Sequence, residues 1–458
     1  MMLYEQAPQV PLTRLSVIFP KTGACLDPAH QQGLGQLTLQ LMQRGAGGLS
    51  AAELHEELEG LGATLGHSLA NDHFAFQLVT LSTQLAPALA LLAKVLLQPH
   101  LEASEFARVQ QEQLSGWFQE REENKAVWAQ EVYLQTLYGG PEAVSEGASP
   151  EALLASVDPR GFSSDGTAAG LAASSLEAAQ AHYQTLLGQA PPLVAALSNL
   201  PQAQVEQAVQ AALGTLWQNR NLPPAINPWE RLQPKWPTGQ RVVILPDEAT
   251  QTDEIVMGGF GTIPHGPNWH MHRLATLLLG GDMNSRLFRQ IRGERGLSYG
   301  ASCWFEGSIG HTPRNQMSAF TLYTFPAQEH TAEAVPLLQQ VYRDFAAEGL
   351  TEAEIQRGVK SLSLSHAFLT ETPRKRLALA IQTALYGVSF DDMDSNEAKL
   401  AAVTPKALNE LLAKTHQTDQ LVTVMLGEPK RLRPIAETLP NVVSITQTPP
   451  LHSALQTK

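Results

Sequence analysis

The strongest constraint on the fold is a repeat, because the two halves of the 458-residue chain follow a similar order of hydrophobic patterns. In each half, strands and short amphipathic helices come first, a pair of strands follows, and long helices come after them. The phrase LEASEFARV at position 101 returns as LTEAEIQRGV at position 350, at the start of the corresponding long helix. An internal duplication of one unit of roughly 200 residues accounts for this order.

A proline-rich segment between Trp217 and Arg241 separates the two units and has no sustained periodicity, which is typical of a linker. We therefore divide the chain into an N-terminal domain (1–218), a linker (219–240), a C-terminal domain (241–445) and a tail (446–458). The predicted fold class is α+β, with two homologous domains that are each a largely antiparallel sheet packed with helices. The Gly-, Ser- and Ala-rich stretch 161–175 is predicted to be a flexible surface insertion.

Composition and charge narrow the function class. The net charge of −13 disfavours binding to a nucleic-acid backbone. No apolar run approaches the roughly 18 residues that a membrane-spanning helix needs, and the N-terminus lacks the pattern of a secretion signal. Two distant cysteines, Cys25 and Cys303, indicate free thiols in a reducing compartment. We therefore predict a cytoplasmic protein without a membrane or nucleic-acid partner.

The helix predicted over GLGQLTLQLM, from residue 33, has an unusual polar face. Leu34, Leu37 and Leu41 form an apolar stripe, whereas Gln36 and Gln40 lie one turn apart on the other side. Positions i and i+4 of a helix are where paired histidines hold zinc, but catalytic zinc takes imidazole or carboxylate ligands rather than amides. The pattern indicates either an ordinary solvated face or a metal site that has lost its ligands.

The most informative stretch is LLLGGDMNSRLFRQIRGERGLSYGASCWFEG, residues 277–307. It has a Gly-Gly turn, a Ser-Arg-Leu phrase, and an arginine and a tyrosine seven positions apart, Arg292 and Tyr299. This pattern closely resembles the signature of the second half of the pitrilysin/insulinase peptidases, the inverted zincins that include mitochondrial processing peptidase. The resemblance implies that the two domains form half of a peptide-enclosing chamber, completed by a sister chain.

The same resemblance places the helix at residue 33 where the family carries H-x-x-E-H. The two zinc histidines correspond to Gln36 and Gln40, and the general-base glutamate corresponds to Leu39. The third ligand of the family, a glutamate, corresponds to a position on or near Trp117. Because these four residues can neither ligate zinc nor activate a water, the resemblance implies a chain without a metal site or cofactor of its own.

Zinc-free chains of the family pair with a zinc-bearing sister chain, as the α subunit of mitochondrial processing peptidase does with β and as bacterial heterodimeric relatives do. The resemblance thus implies a non-catalytic subunit of a heterodimeric zinc endopeptidase, with the zinc in the partner and a peptide as substrate. Arg292 would hold the substrate backbone or an acidic partner, and Tyr299 would donate to the scissile carbonyl oxygen. The phrase GGDMNSRL lacks the long glycine-rich loop of the mitochondrial α subunit, so presequence recognition is not implied.

Two other functions stay open on the sequence. A stand-alone peptide-binding or structural protein, like the respiratory-chain core proteins of this fold, would not need Arg292 and Tyr299. A subunit of a protease that matures a peptide precursor would have the same sequence features as one that degrades peptides.

Two further clusters are interpreted as solvated surface. The first consists of His265, His270 and His272, for which a metal site is the alternative. The second is the basic segment 374–376, for which a peptide or partner contact is the alternative.

Overall fold

The computed structural model describes residues 2–139, 158–217, 238–262, 266–306, 317–387 and 397–451. The predicted linker lies outside these residues except for its last positions, 238–240. The strands, in chain order, are β1 (Met2–Gln6), β2 (Leu12–Pro20), β3 (Gly45–Ala46), β4 (Leu49–Ser50), β5 (Thr64–Leu69), β6 (His73–Leu81), β7 (Leu193–Ser198), β8 (Gln240–Pro246), β9 (Glu254–Phe260), β10 (Ser298–Phe305), β11 (Ala319–Pro326), β12 (Val422–Gly427) and β13 (Val442–Gln447).

The α-helices are α1 (Leu34–Met42), α2 (Ala51–Gly60), α3 (Leu85–Leu97), α4 (Ala103–Glu123), α5 (Lys125–Leu137), α6 (Ala168–Ala173), α7 (Leu176–Gly188), α8 (Gln202–Leu213), α9 (Trp269–Thr276), α10 (Thr331–Glu348), α11 (Glu352–Thr370), α12 (Pro373–Tyr386), α13 (Glu397–Ala401), α14 (Pro405–Thr415) and α15 (Pro429–Thr438). Two wider, π-helical segments, Leu277–Gly281 and Phe288–Glu294, follow α9. None of the helices in the described ranges is both long and apolar enough to cross a membrane.

The two main sheets have the same topology, which confirms two homologous α+β domains. The first sheet has the order β1-β7-β2-β6-β5, and the second has the order β10-β11-β9-β12-β8-β13. In both, a parallel pair (β1 with β7, β8 with β12) flanks a run of antiparallel pairs, and in the second sheet β13 forms a further parallel pair with β8. Read from β8, the second sheet repeats the first strand for strand and adds β13 at its edge. The sheets are therefore mainly antiparallel, as the alternating sequence pattern predicts.

Each sheet buries one face under helices of its own half of the chain. In the first domain, Phe19 and Phe76 of the sheet are fully buried and share a cluster with Leu37 of α1. In the second domain, Phe320 of β11 and Phe345 of α10 belong to a cluster of the same kind. Two separate hydrophobic cores follow, one for each repeat.

The other face of each sheet is covered by a helix from the opposite half of the chain. Helix α5 packs on the second sheet, where Trp128 and Tyr133 share a cluster with Phe260. Helix α12 packs on the first sheet, where Leu377 shares a cluster with Ile18. The two domains therefore interlock through a reciprocal exchange of helices, which the periodicity of either half alone does not reveal.

Several elements differ from the sequence expectations. The helix expected from 102 to 138 is two helices, α4 and α5, that meet at Asn124. Strands β7 and β12 were not predicted, because they are buried on both faces and read as continuous apolar runs without alternation. The flexible insertion expected at 161–175 is wrong: it contains α6, whose Leu171 is fully buried.

Both cysteines are free thiols, as expected from their spacing. Cys25 lies in the first domain and Cys303 in the second, and each is buried. Burial raises the pKa of both thiols, which keeps them protonated and poorly reactive.

Two histidines of the second domain lie side by side in an aromatic core rather than on a solvated surface. The ring centroids of His272 and His416 are 6.2 Å apart, and His272 is only 1% exposed. Nδ1 of His416 lies 2.9 Å from the Tyr342 hydroxyl, with the Phe320 ring edge-on at 5.0 Å. Burial lowers the pKa of His272 to about 4 and of His416 to about 3. The interpretation of His272 as part of a solvated helix start is therefore wrong, and His265 lies outside the described residues.

These histidines predict a loss of stability in acid. Below about pH 6.5 the unfolded chain binds protons that the folded chain excludes, so the free energy of unfolding falls as pH drops from about 6.5 toward 4. A His272→Phe variant should lose less stability than the wild type between about pH 7.5 and 5, measured by denaturant unfolding at each pH. The exposed His30, changed to Gln, is the matched control; an equal pH dependence in all three proteins would contradict the assignment.

Candidate functional site

A buried carboxylate fixes the start of α1, the helix that carries Gln36 and Gln40. Asp27 is 1% exposed and accepts hydrogen bonds from the backbone N–H of Gly33 (2.8 Å) and of Gly35 (2.9 Å). Gly33 has φ +104°, a conformation in which a side chain would be strained. The carboxylate thus caps the positive end of the helix and sets the orientation of the residues that follow.

Along α1 the polar and apolar positions separate as the sequence predicts. Leu37, Leu39 and Leu41 are fully buried in the first hydrophobic core, whereas Gln36 and Gln40 are half-buried on another side of the helix. The two amides face a cavity of about 980 Å³. The cavity is lined by Gln36, Gln40, Gln43, Arg44, His55, His67, Arg108, Glu112, Gln113, Trp117, Glu120, Arg121 and Asp165, among others.

Trp117 lines the same cavity, one helix away on α4. Its indole Nε1 donates to the carbonyl oxygen of Gly166 at 3.0 Å, and the guanidinium of Arg121 stacks on its ring at 4.2 Å. Arg121 is itself paired with Glu131. The Trp117 ring and the Leu39 side chain belong to separate hydrophobic clusters.

The donor set of this cavity does not fit zinc. Glu112 is engaged by Arg44 at 2.5 Å and by Arg108 at 2.8 Å. His67 contacts the amide of Gln43, and burial lowers the pKa of His67 to about 4. Within the described ranges, no group of three or more His, Cys, Asp or Glu residues is arranged to hold a metal ion. We therefore derive no metal chemistry from this cavity.

The Gly-Gly turn of the second motif is required by a close approach of two segments. A Cβ built on Gly280 would lie 2.5 Å from the backbone nitrogen of Cys303, which no side chain tolerates. Arg286 of the Ser-Arg-Leu phrase makes two hydrogen bonds to Glu354 and one, of 2.7 Å, to the carbonyl oxygen of Gly349. These parts of the motif are structural: they hold the segment that carries Arg292 against the sheet.

The structure brings Arg292 and Tyr299 together at the surface. Arg292 lies on the π-helical segment, Gly296 ends that segment at φ +64°, and Tyr299 follows at the start of β10. The Arg292 guanidinium carbon is 4.2 Å from the centre of the Tyr299 ring and 4.9 Å from that of Phe288. Tyr299 is 73% exposed. Stacking between two rings orients the guanidinium plane and leaves its N–H edge and the tyrosine hydroxyl available to a ligand.

The two sites are separate within one chain. The cavity beside α1 is lined by residues between 36 and 165, whereas Arg292 and Tyr299 lie on the second domain. Sequence reasoning missed most of the cavity: Arg44, His67, Arg121 and Asp165 come from different elements and share no local spacing. The helical period of Gln36 and Gln40, and the resemblance that places Trp117 with them, were the two signals that pointed to it.

Comparison with known families matches both halves of the chain to one family. Residues 1–143 match the model described as Insulinase (Peptidase family M16), and residues 174–362 match the one described as Peptidase M16 inactive domain. Together these segments make up well over half of the chain. The chain belongs to peptidase family M16. No curated protein sequence matches it significantly.

Several solved structures have the same fold. A peptidase M16 inactive domain from Pseudomonas fluorescens superposes with a TM-score of 0.75 at 21% identity, covering 93% of this chain and 95% of that one. A protease from Helicobacter pylori gives a TM-score of 0.70 at 13% identity, covering 92% and 96%. The periplasmic protease PqqL from Escherichia coli gives 0.67 at 14% identity, covering 93% of this chain but 44% of that one. Identities this low show the shared fold alone.

Substitutions in the cavity beside α1 test the role of position 117. With Gln36→His and Gln40→His in place, zinc should bind weakly, because residue 117, which the family resemblance assigns to the third ligand, carries an indole. Adding Trp117→Glu should raise zinc affinity roughly ten-fold or more, since a carboxylate can complete a three-ligand site. Calorimetric zinc titration checks this. Trp117→Gln in the same background is the control that opens equal space without a charge; equal affinity in the Glu and Gln variants would show that residue 117 is not the ligand position.

Proposed function

We propose that this chain is the non-catalytic subunit of a heterodimeric zinc endopeptidase that cleaves peptides or small proteins. The partner is a homologous chain that carries the zinc, and this chain contributes Arg292 and Tyr299 to the shared active site. The observation that carries the proposal is the contrast between the two sites. The cavity beside α1 has amides and an indole at the ligand positions, whereas a half-buried Arg292 stacks on Tyr299, which is exposed.

The proposed roles follow from the geometry of the pair. The phenol of Tyr299 donates a hydrogen bond to the substrate carbonyl oxygen as negative charge develops on it. The planar guanidinium of Arg292, held at 4.2 Å from the Tyr299 ring, binds an adjacent carbonyl or carboxylate of the peptide. Arg292 and Tyr299 both act on a peptide that the partner's site cleaves, because this chain alone lacks the groups that activate water.

The length of this chain, compared with that of PqqL, supports the presence of a second unit of similar size in the working protease. The chain aligns with 44% of the PqqL chain, and the structure described as the first half of PqqL superposes over 95% of this chain. A protease built from two units of this size supports the idea that one unit is half of a working chamber. A cytoplasmic location for the heterodimer stays part of the proposal.

A structural role is the alternative that a comparison favours. A chain of the complex III2 structure from Candida albicans superposes with a TM-score of 0.66 at 13% identity over 95% of this chain. In that reading the chain would be a stand-alone peptide-binding or structural protein. The accessible Arg292–Tyr299 pair has no role in it, which favours the heterodimer.

Substitutions at the pair test the proposal in the presence of a homologue with an intact H-x-x-E-H motif. Tyr299→Phe removes one donor to the developing oxyanion and should lower kcat by roughly 10- to 1,000-fold. Arg292→Ala should have a comparable effect, mainly through lost substrate positioning. Binding of the two chains, measured by size-exclusion chromatography, should persist.

The matched control is Arg295→Ala, which removes an exposed arginine close by that pairs with Glu333. It should leave turnover within about two-fold of the wild type, as expected for a weak surface ion pair. Wild-type turnover in both the Arg292 and the Tyr299 variants would contradict the shared active site.

A further inference from the structure

Four aromatic side chains continue in a row from the Arg292–Tyr299 pair. The ring centroids of Tyr299 and Phe325 are 6.5 Å apart, those of Phe325 and Tyr323 are 5.6 Å apart, and those of Tyr323 and Trp304 are 6.1 Å apart. We call Tyr299, Phe325, Tyr323 and Trp304 the aromatic ladder. Neither the motif at 277–307 nor the proposed roles of Arg292 and Tyr299 account for its other three members.

Strand register places Phe325, Tyr323 and Trp304 on one face of β10 and β11, whereas Tyr299 lies where the register shifts, between Ser298 and Ala301. Ser302 pairs with Tyr323 and Trp304 pairs with Thr321, so Tyr323 and Trp304 point to the same side. The alternate residues, such as Cys303 and Leu322, point to the opposite side and lie in the core.

A glycine in β10 makes room for one ring of the ladder. A Cβ built on Gly300 would lie 3.0 Å from Cε1 of Phe325, so the Phe325 ring rests over the space that a side chain at position 300 would fill. The position of this ring is therefore set by the backbone of the neighbouring strand.

The ladder is not part of a described hydrophobic core. Trp304 and Phe325 are half-buried and belong to none of the buried clusters of the described residues, whereas Tyr323 only borders one. Helix α5 packs on β9 and β12 of this face, to one side of the ladder. A row of accessible aromatic rings on an otherwise covered sheet face points to a ligand with apolar groups.

The spacing of the rings fits an extended peptide. Steps of 5.6 to 6.5 Å along the ladder are close to the roughly 6.6 Å that separates alternate side chains of an extended chain. A peptide whose carbonyl group lies at Tyr299 can therefore place successive alternate side chains against successive rings.

Two carboxylates lie along the ladder, Glu306 at its Trp304 end and Glu254 beside Tyr323. Glu306 accepts hydrogen bonds from the indole of Trp304 at 2.7 Å and from the hydroxyl of Thr321 at 2.8 Å. Glu254 accepts one from the hydroxyl of Tyr323 at 2.6 Å. These bonds fix the orientation of two rings, and the negative charge favours basic over acidic side chains in a ligand.

We propose that the aromatic ladder binds extended peptide segments that carry apolar, preferably aromatic, side chains at alternate positions with basic residues between them. The inference rests on the proposed function, because it assigns the ladder to the peptide that reaches Arg292 and Tyr299. It names the substrate class that the chain selects.

Fluorescence anisotropy with two end-blocked, fluorescein-labelled ten-residue peptides tests the ladder on the full chain. One peptide alternates Phe with Lys, and the other has Ser in place of Phe. The wild type should bind the Phe peptide more tightly. Trp304→Ala or Phe325→Ala should reduce that preference by about 2- to 10-fold each, the range for one lost aromatic contact.

Phe368→Ala is the matched control, since Phe368 is 62% exposed on α11, away from the ladder. It should keep the wild-type preference. If an alanine variant does not fold, judged by its thermal transition, Gly300→Ala is the second variant. It adds one methyl group beneath the Phe325 ring and should also reduce the preference.

The outcomes separate the ladder from the proposed function. The wild type could bind both peptides equally while the chain still raises the turnover of the zinc-bearing homologue. This result would overturn peptide binding by the ladder and would leave the proposed function unaffected. A Phe preference that the ladder variants lose, without any rise in turnover, would support the ladder and contradict the function. Self-association that the ladder variants abolish, with no peptide preference, would assign the surface to a second copy and overturn the inference.

Discussion

The hydrogen bond from the Tyr133 hydroxyl to the carbonyl oxygen of Phe320, 2.8 Å long and fully buried, fixes the relation between the two halves of the molecule. Tyr133 belongs to a helix of the first half, and Phe320 belongs to the sheet of the second. A Cβ built on Gly258 would lie 2.6 Å from the Tyr133 hydroxyl, so the contact also depends on a glycine in the neighbouring strand. Helix α12 of the second half packs in turn on the first sheet, where Arg376 pairs with Glu5 of β1 at 2.9 Å. The cavity beside α1 and the Arg292–Tyr299 pair are held in a defined arrangement by these contacts.

This arrangement explains why one chain holds two incomplete sites. Helix α1 has its cap, its buried leucines and its cavity, none of which depends on a metal. The side chains at the cavity include Gln36, Gln40 and Trp117, and the guanidinium of Arg121 and the carbonyl oxygen of Gly166 hold the Trp117 ring in place. Arg292 and Tyr299, which would form the second site, lie apart from that cavity. A second unit that supplies zinc would complete the chemistry that this chain lacks.

Much of the fold could be predicted from the sequence because the repeat imposed the same pattern twice. Strand β10 and the capping box of α2, in which Ser50 and Glu53 bond each other's backbone N–H, lie where alternation and spacing place them. The helix exchange could not be predicted, since α5 has apolar residues for packing but nothing in its sequence says which sheet it covers. The prediction of a flexible insertion at 161–175 was wrong because small residues suit both flexible loops and tight packing. Only the structure shows that the carbonyl oxygen of Gly166 accepts a hydrogen bond from Trp117. The aromatic ladder could not be predicted either, because it depends on the register of two strands.

The most direct test of the account is a titration of a zinc-bearing M16 homologue with this chain, in which zinc content and peptide turnover are measured together. As a non-catalytic subunit, the purified chain alone should hold no stoichiometric zinc and should cleave no peptide. Turnover of the mixture should rise with added chain and level off at one chain per homologue, with about one zinc in each pair. A purified chain that retains about one zinc after mild chelation and cleaves peptides alone would contradict the account, and so would a turnover that never rises at any ratio.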